Sequence, residues 1–125
     1  MAAPNIVNVT SIYGKTAFDV DVSSTGDAIV NNSASSNKVL KINTLIIAND
    51  EGNNNATITI EIRNYAGSGI HSILAKTITV PADAAYVAIS KDTPIYLEED
   101  KAIYLTASSA GYLSATCSYE EIDDA

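Results

Sequence analysis

Thr57-Ile58-Thr59-Ile60-Glu61-Ile62-Arg63 sets an isoleucine at every second position against polar partners. A period of two gathers Ile58, Ile60 and Ile62 on one side of an extended strand; a helix would scatter them around its axis. The β-branched Thr and Ile side chains also favour the pleated backbone. Asp50-Glu51-Gly52-Asn53-Asn54-Asn55 precedes this strand and is rich in turn formers. Before that turn, Val39 to Ala48 is more continuously apolar, the pattern of a strand covered on both sides.

The same period recurs along the chain. Phe18, Val20 and Val22 alternate with Asp19 and Asp21, which reads as an apolar face opposed to an acidic one. Ile103, Leu105 and Ala107 share a face, as do Leu113, Ala115, Cys117 and Tyr119. Ile73–Val80, Tyr86–Ile89 and Ile95–Leu97 add further strands, the last after Pro94. Ser23 to Gly26, Asn31 to Asn37, Asn64 to Gly69 and Ser108 to Gly111 read as loops or turns. Asp83 to Ala88 has room for one helical turn, and no longer stretch carries a capped apolar stripe. The expectation is one all-β domain over residues 1–125, an antiparallel β-sandwich of jelly-roll-like form with about eight or nine short strands. Residues 1–12 are read as an edge strand or an N-terminal arm packing on a neighbour, through Ile6, Val7, Val9 and Ile12. Residues 120–125 are read as a solvated acidic tail.

Composition narrows the function. Hydrophobic residues make up 46% of the chain, enough for a core, yet there are seven Tyr, one Phe and no Trp. The core is therefore expected to be Ile, Val, Leu and Ala. Seven basic against fifteen acidic residues give a net charge of −8, which repels nucleic-acid phosphates and anionic membranes. Charged residues are only 18% of the total, and the remaining polar surface is Ser, Thr and Asn. Such a surface is lost into a protein interface at low desolvation cost. Met1 to Asn5 has neither a basic n-region nor an apolar h-region, so synthesis in a cytoplasm is expected.

No catalytic, cofactor or metal residue is assigned. His71 is the one histidine, and no nucleophile motif flanks it. Cys117 sits on an apolar strand face and reads as a small buried hydrophobe. One Cys and one His cannot supply a zinc site. Asp50 to Asn55 does not fit the EF-hand pattern. The carboxylates of Asp19, Asp21 and the 98–100 loop are read as solubilising charge. Three Asn-x-Ser/Thr sequons, at Asn8, Asn31 and Asn55, are read as chance in a chain rich in those residues. The tyrosines admit two readings, interface anchors or ordinary half-buried packing. Tyr13, Tyr96 and Tyr104 are the interface candidates, beside the N-terminal apolar residues.

The order of strand signatures carries a resemblance. Lys38-Val39-Leu40-Lys41-Ile42-Asn43-Thr44-Leu45-Ile46-Ile47-Ala48-Asn49 is followed by Ala56-Thr57-Ile58-Thr59-Ile60, then Ala75-Lys76-Thr77-Ile78-Thr79-Val80-Pro81-Ala82-Asp83. Pro94-Ile95-Tyr96-Leu97-Glu98-Glu99-Asp100 and Ala115-Thr116-Cys117-Ser118-Tyr119-Glu120-Glu121-Ile122 complete it. This series resembles small virion structural proteins of tailed phages of aquatic bacteria and cyanobacteria. The resemblance implies a non-enzymatic virion component, made in the host cytoplasm, whose partners are the major capsid protein or another virion protein. It leads to the expectation of a decoration, or cement, protein acting as a homotrimer. A neck, tail or fibre component, or a carbohydrate-binding adhesin at the tail tip, is the alternative.

Overall fold

The computed structural model describes residues 9–123. Nine strands follow in order: β1 (Ser11–Asp19), β2 (Asp27–Asn32), β3 (Lys38–Asn49), β4 (Ala56–Asn64), β5 (Ile70–Val80), β6 (Ala85–Ile89), β7 (Ile95–Leu97), β8 (Lys101–Ala107) and β9 (Leu113–Asp123). A single turn of 3-10 helix, Tyr65–Gly67, lies between β4 and β5. The first sheet runs β1-β9-β3-β6, with β7 pairing the other half of β3; the second runs β2-β8-β4-β5. Every pairing is antiparallel.

The pairings describe one long ribbon that has been wound up. β4 pairs β5, β3 pairs β6 and β7, β2 pairs β8 and β1 pairs β9. Rolling the ribbon adds the contacts of β9 with β3 and of β8 with β4. That is the jelly-roll form of the sandwich expected from the alternation. The central strands supply the core: Ile42, Leu45 and Ile47 from β3, Ile58 and Ile60 from β4, Ile103 and Leu105 from β8, and Leu113 and Cys117 from β9 are all fully buried. Among the described residues no fully buried side chain is aromatic, as the composition predicts.

Several expectations are corrected. β2 lies in a region not read as a strand, because a register shift between Ala28 and Val30 breaks its alternation. Its last residue, Asn32, is buried and donates to the carbonyls of Lys38 and Leu97 at 2.9 and 3.0 Å, which makes it structural and not loop. Residues 85–88 form β6 and not a helical turn. The acidic segment 120–123 is no free tail: it completes β9, between β1 and β3. Ile122 is buried there, and Glu121 bridges Lys15 and Lys38 at 3.1 and 3.5 Å. β3 is flanked by strands on both edges, yet its outer face opens to solvent at Ile46.

The sign of one alternation is also reversed. Ala17 pairs with buried Cys117 and Asp19 with buried Ala115, so the odd positions of β1 face inward. Phe18 and Val20 therefore point outward, 71% and 82% exposed.

Candidate interaction face

The outer surface of the first sheet carries the candidate site. Phe18 on β1 is opposite Thr116 on β9, Thr116 is opposite Ile46 on β3, and Ile46 is opposite Val87 on β6. Phe18, Ile46 and Val87 are all exposed. At the usual strand spacing this row crosses about 15 Å of sheet. The row on one side is Thr16, Ser118 and Thr44; on the other it is Ser114, Ala48 and Ala85. These three rows hold no charged side chain, in a chain of net charge −8.

The other half of the same face is ionic. Lys41 is opposite both Glu120 and Tyr96, and Asn43 donates to Glu120 at 3.1 Å. On the inward side of the same strands, the hydrogen bond and charge of Glu121 raise the affinity of Lys15 for its proton. Burial raises the Tyr119 hydroxyl above its ordinary pKa.

On the outer surface of the second sheet, the patch around Tyr104 is covered by its own chain, while Ile73 on β5, opposite Glu61, stays exposed. Arg63 donates to Glu61 through Nε at 2.9 Å and Nη2 at 2.7 Å, and to the Gly67 carbonyl through Nη1 at 3.1 Å. Its guanidinium lies 4.0 Å over the Tyr104 ring. The Tyr104 hydroxyl donates to the Thr25 carbonyl at 3.3 Å. A Cβ on Gly26 or Gly67 would fall 2.2 or 2.5 Å from that ring, so either would force the ring to shift. The 65–67 turn is tied down by the Ala66 amide donating to Asn31 Oδ1 at 3.0 Å. Glu61, on this outer face, is consequently only 6% exposed.

At the corner between the sheets, two cavities flank Asp19. One of about 480 Å³ is lined by Phe18, Asp27 and Tyr104 among others; one of about 250 Å³ is lined by Val20, Asp50 and Thr116. Burial raises the Asp19 carboxyl to about 6, and the hydrogen bond and charge of Asp27 act in the same direction. Burial also opposes ionisation of Asp27, but bonds from the Ser23 amide, Asp19 and the Ser23 hydroxyl outweigh it and hold Asp27 below its ordinary value. The Ser23 amide and hydroxyl donate to Asp27 at 3.0 and 3.1 Å.

His71 is exposed and hydrogen-bonded to Asn64 Oδ1. Cys117 is fully buried, and burial pushes its thiol up to about 12, too high for a thiolate nucleophile near neutrality. Among the described residues no group of three or more His, Cys, Asp or Glu is placed to hold a metal.

No protein-family model and no curated protein matches the chain. Among solved structures, a chain from a structure of infectious bursal disease virus Gx strain aligns with a TM-score of 0.49 at 15% identity. The alignment covers 91% of this chain and 32% of that one, so this chain spans about a third of the solved chain's length.

The residues singled out in the sequence do not converge. Ile12 and Tyr13 are exposed on β1, and Tyr96 is exposed on β7 at the opposite edge of the same sheet. Tyr104 is half-buried on the second sheet and fully engaged with its own chain. Val9 is half-buried ahead of β1; Ile6 and Val7 lie outside the described residues. Phe18, Val20, Ile46 and Val87 were not singled out. Their signal was weak, because neither parity of β1 is apolar: Ile12, Gly14, Thr16 and Phe18 compete with Tyr13, Lys15, Ala17 and Asp19.

Proposed function

We propose that this chain is a structural protein of a virion, a decoration protein that seats on the shell through the outer face of its first sheet. The observation that carries this reading is the uncharged, apolar row Phe18–Ile46–Val87 across an otherwise acidic molecule. Solvated charge resists burial, so a net −8 protein docks most cheaply where it has none. The resemblance of its strand signatures to small phage virion proteins supplies the partner, a coat subunit. The jelly roll recurs in viral capsids and also in unrelated lectins, so the architecture is compatible with the role without assigning it.

Cementing needs a stiff body and only modest affinity per contact. Many copies act on one shell, and a trimer would engage three sites together. The rolled sandwich supplies the stiffness, and the flat face supplies the contact. The reading involves no catalysis.

The test is co-sedimentation of the purified chain with undecorated particles. Wild type is expected to bind, and Val87→Glu, which places a charge at the β6 end of the central neutral row, is expected to lose at least tenfold in affinity. Equal binding by both proteins, or a copy found at the portal or tail tip of the particle, overturns decoration. A second reading, glycan binding at a tail tip, is favoured by the cleft between Phe18 and Tyr104; saccharide binding by the isolated chain, with no affinity for shells, would select it.

A further inference from the structure

The β1–β2 corner holds a feature that the docking face does not explain. Asp19 Oδ2 is buried from solvent and has no conventional donor. Asp27, the first residue of β2, lines the same cavity, and its carboxyl interacts with that of Asp19. Two ionised carboxylates cannot bond to each other, since neither has a donor. An acid and a carboxylate can, and such charge-assisted O–H···O bonds are short and strong.

We propose that Asp19 and Asp27 share one proton and so form a pH-sensitive pin, which holds the β1–β2 corner closed and sets the position of Phe18 and Val20 at the end of the docking face. Asp19 Oδ2–H donates to the Asp27 carboxylate. On ionisation the proton leaves to solvent, the bond is lost, and two negative charges face each other. Asp27 is fixed by the Ser23 amide and hydroxyl, and the Gly26 amide donates to Ser23 Oγ at 2.8 Å. Asp19 is the last residue of an edge strand, so it is the member that moves. Its neighbours in sequence, Phe18 and Val20, move with it.

Among the described residues, none of those lining the two cavities supplies a compensating cation. The Asp21 backbone amide hydrogen-bonds to Asp19 and favours its ionisation, and the Asp21 charge opposes that more weakly; the Asp21 carboxylate accepts the Gly111 amide at 2.6 Å. Asp50 lines the smaller cavity, and Tyr104 the larger. Ser114, Ala115 and Thr116 face Asp19 from β9 without charge. Neither cavity is lined by Lys or Arg, and Arg63, stacked on Tyr104, is committed to Glu61. The pair therefore titrates as a unit against a negative background.

The sign follows from the folded and unfolded states. Asp19 binds its proton more tightly in the folded chain, so its stabilising contribution is complete below about pH 4 and is lost as pH rises through about 6. Asp27 acts oppositely, and only below its ordinary carboxylate range.

The test is carbonyl-carbon NMR of both carboxyl groups in the full chain from pH 3 to 8. One midpoint near 6 is expected for Asp19, with the Ser23 and Gly26 amides and the Phe18 ring shifting at the same midpoint. Asp27→Asn is expected to lower the Asp19 midpoint. In the wild type the melting temperature is expected to fall between pH 4 and 6, and in Asp19→Asn that fall is expected to flatten. Ordinary titration of both carboxyls, or an Asp19 midpoint indifferent to Asp27→Asn, overturns the pin; the wild-type titration decides even if a variant does not fold. The inference rests on the docking reading only for its consequence. If the titration is as stated but shell occupancy is flat across pH 5 to 7, the docking reading is what fails.

Discussion

The two outer faces of the sandwich have been treated in opposite ways. On the second sheet, Glu61, Arg63 and Tyr104 lie under the 65–67 turn and bond to one another. On the first sheet, Phe18, Ile46 and Val87 stand in a row with nothing of the described chain over them and no charge beside them. A sandwich needs only its two inner faces to fold. The contrast teaches that polarity does not tell which outer patch is free: the ionic residues around Tyr104 are consumed within the chain, and Phe18, Ile46 and Val87 stay open.

The largest effect that would break this comparison is at Gly67. Its φ is +91°, and an added Cβ would meet the Tyr104 ring at 2.5 Å. Gly67→Ala is expected to destabilise the chain by about 3 kcal/mol, combining backbone strain with a forced shift of Tyr104. Gly111 supplies the control, since its φ is +85° and an added Cβ meets nothing within 4 Å. Gly111→Ala is expected to cost about 1 kcal/mol, the backbone part alone. Equal costs in chemical denaturation would show that the second sheet's cover is not a packed structure.

Next in size is Glu61→Ala. It removes the acceptor of two Arg63 hydrogen bonds and leaves the guanidinium over Tyr104 without its counter-charge. The expected loss is about 2 kcal/mol, below the cost of breaking a fully buried pair because Arg63 keeps some access to water. A double-mutant cycle with Arg63→Ala isolates the pairing. A coupling near zero would make the second face as open, energetically, as the first.

What the sequence disclosed divides along the same line. The inner faces were legible, since Ile58, Ile60, Leu105 and Cys117 obey a strict alternation that burial enforces. The outer faces were not. Glu61 is polar at an outward position and reads as solvated, until a turn from the far end of its own strand folds over it. The register of β1 could not be read either, because its two parities are equally mixed and pairing with β9 alone decides which faces inward. The same pairing recruited the acidic 120–123 segment into a strand, where Lys15 and Lys38 offset Glu121. These are long-range contacts, and a period of two carries no information about them.

The smallest expected effect on folding belongs to the first face, and that is its diagnostic. Val87 is 55% exposed on a short edge strand and contributes little to the core. Val87→Ser is therefore expected to change stability by no more than about 0.5 kcal/mol, a melting shift of no more than about 3 °C for a chain of this size. A residue held in place by selection for folding alone would cost more, because its apolar area would be buried at home. A loss above about 2 kcal/mol would mean that Val87 packs within its own chain and that the first face is covered as the second one is. A small loss leaves an aliphatic side chain that is open to solvent and does not serve the fold.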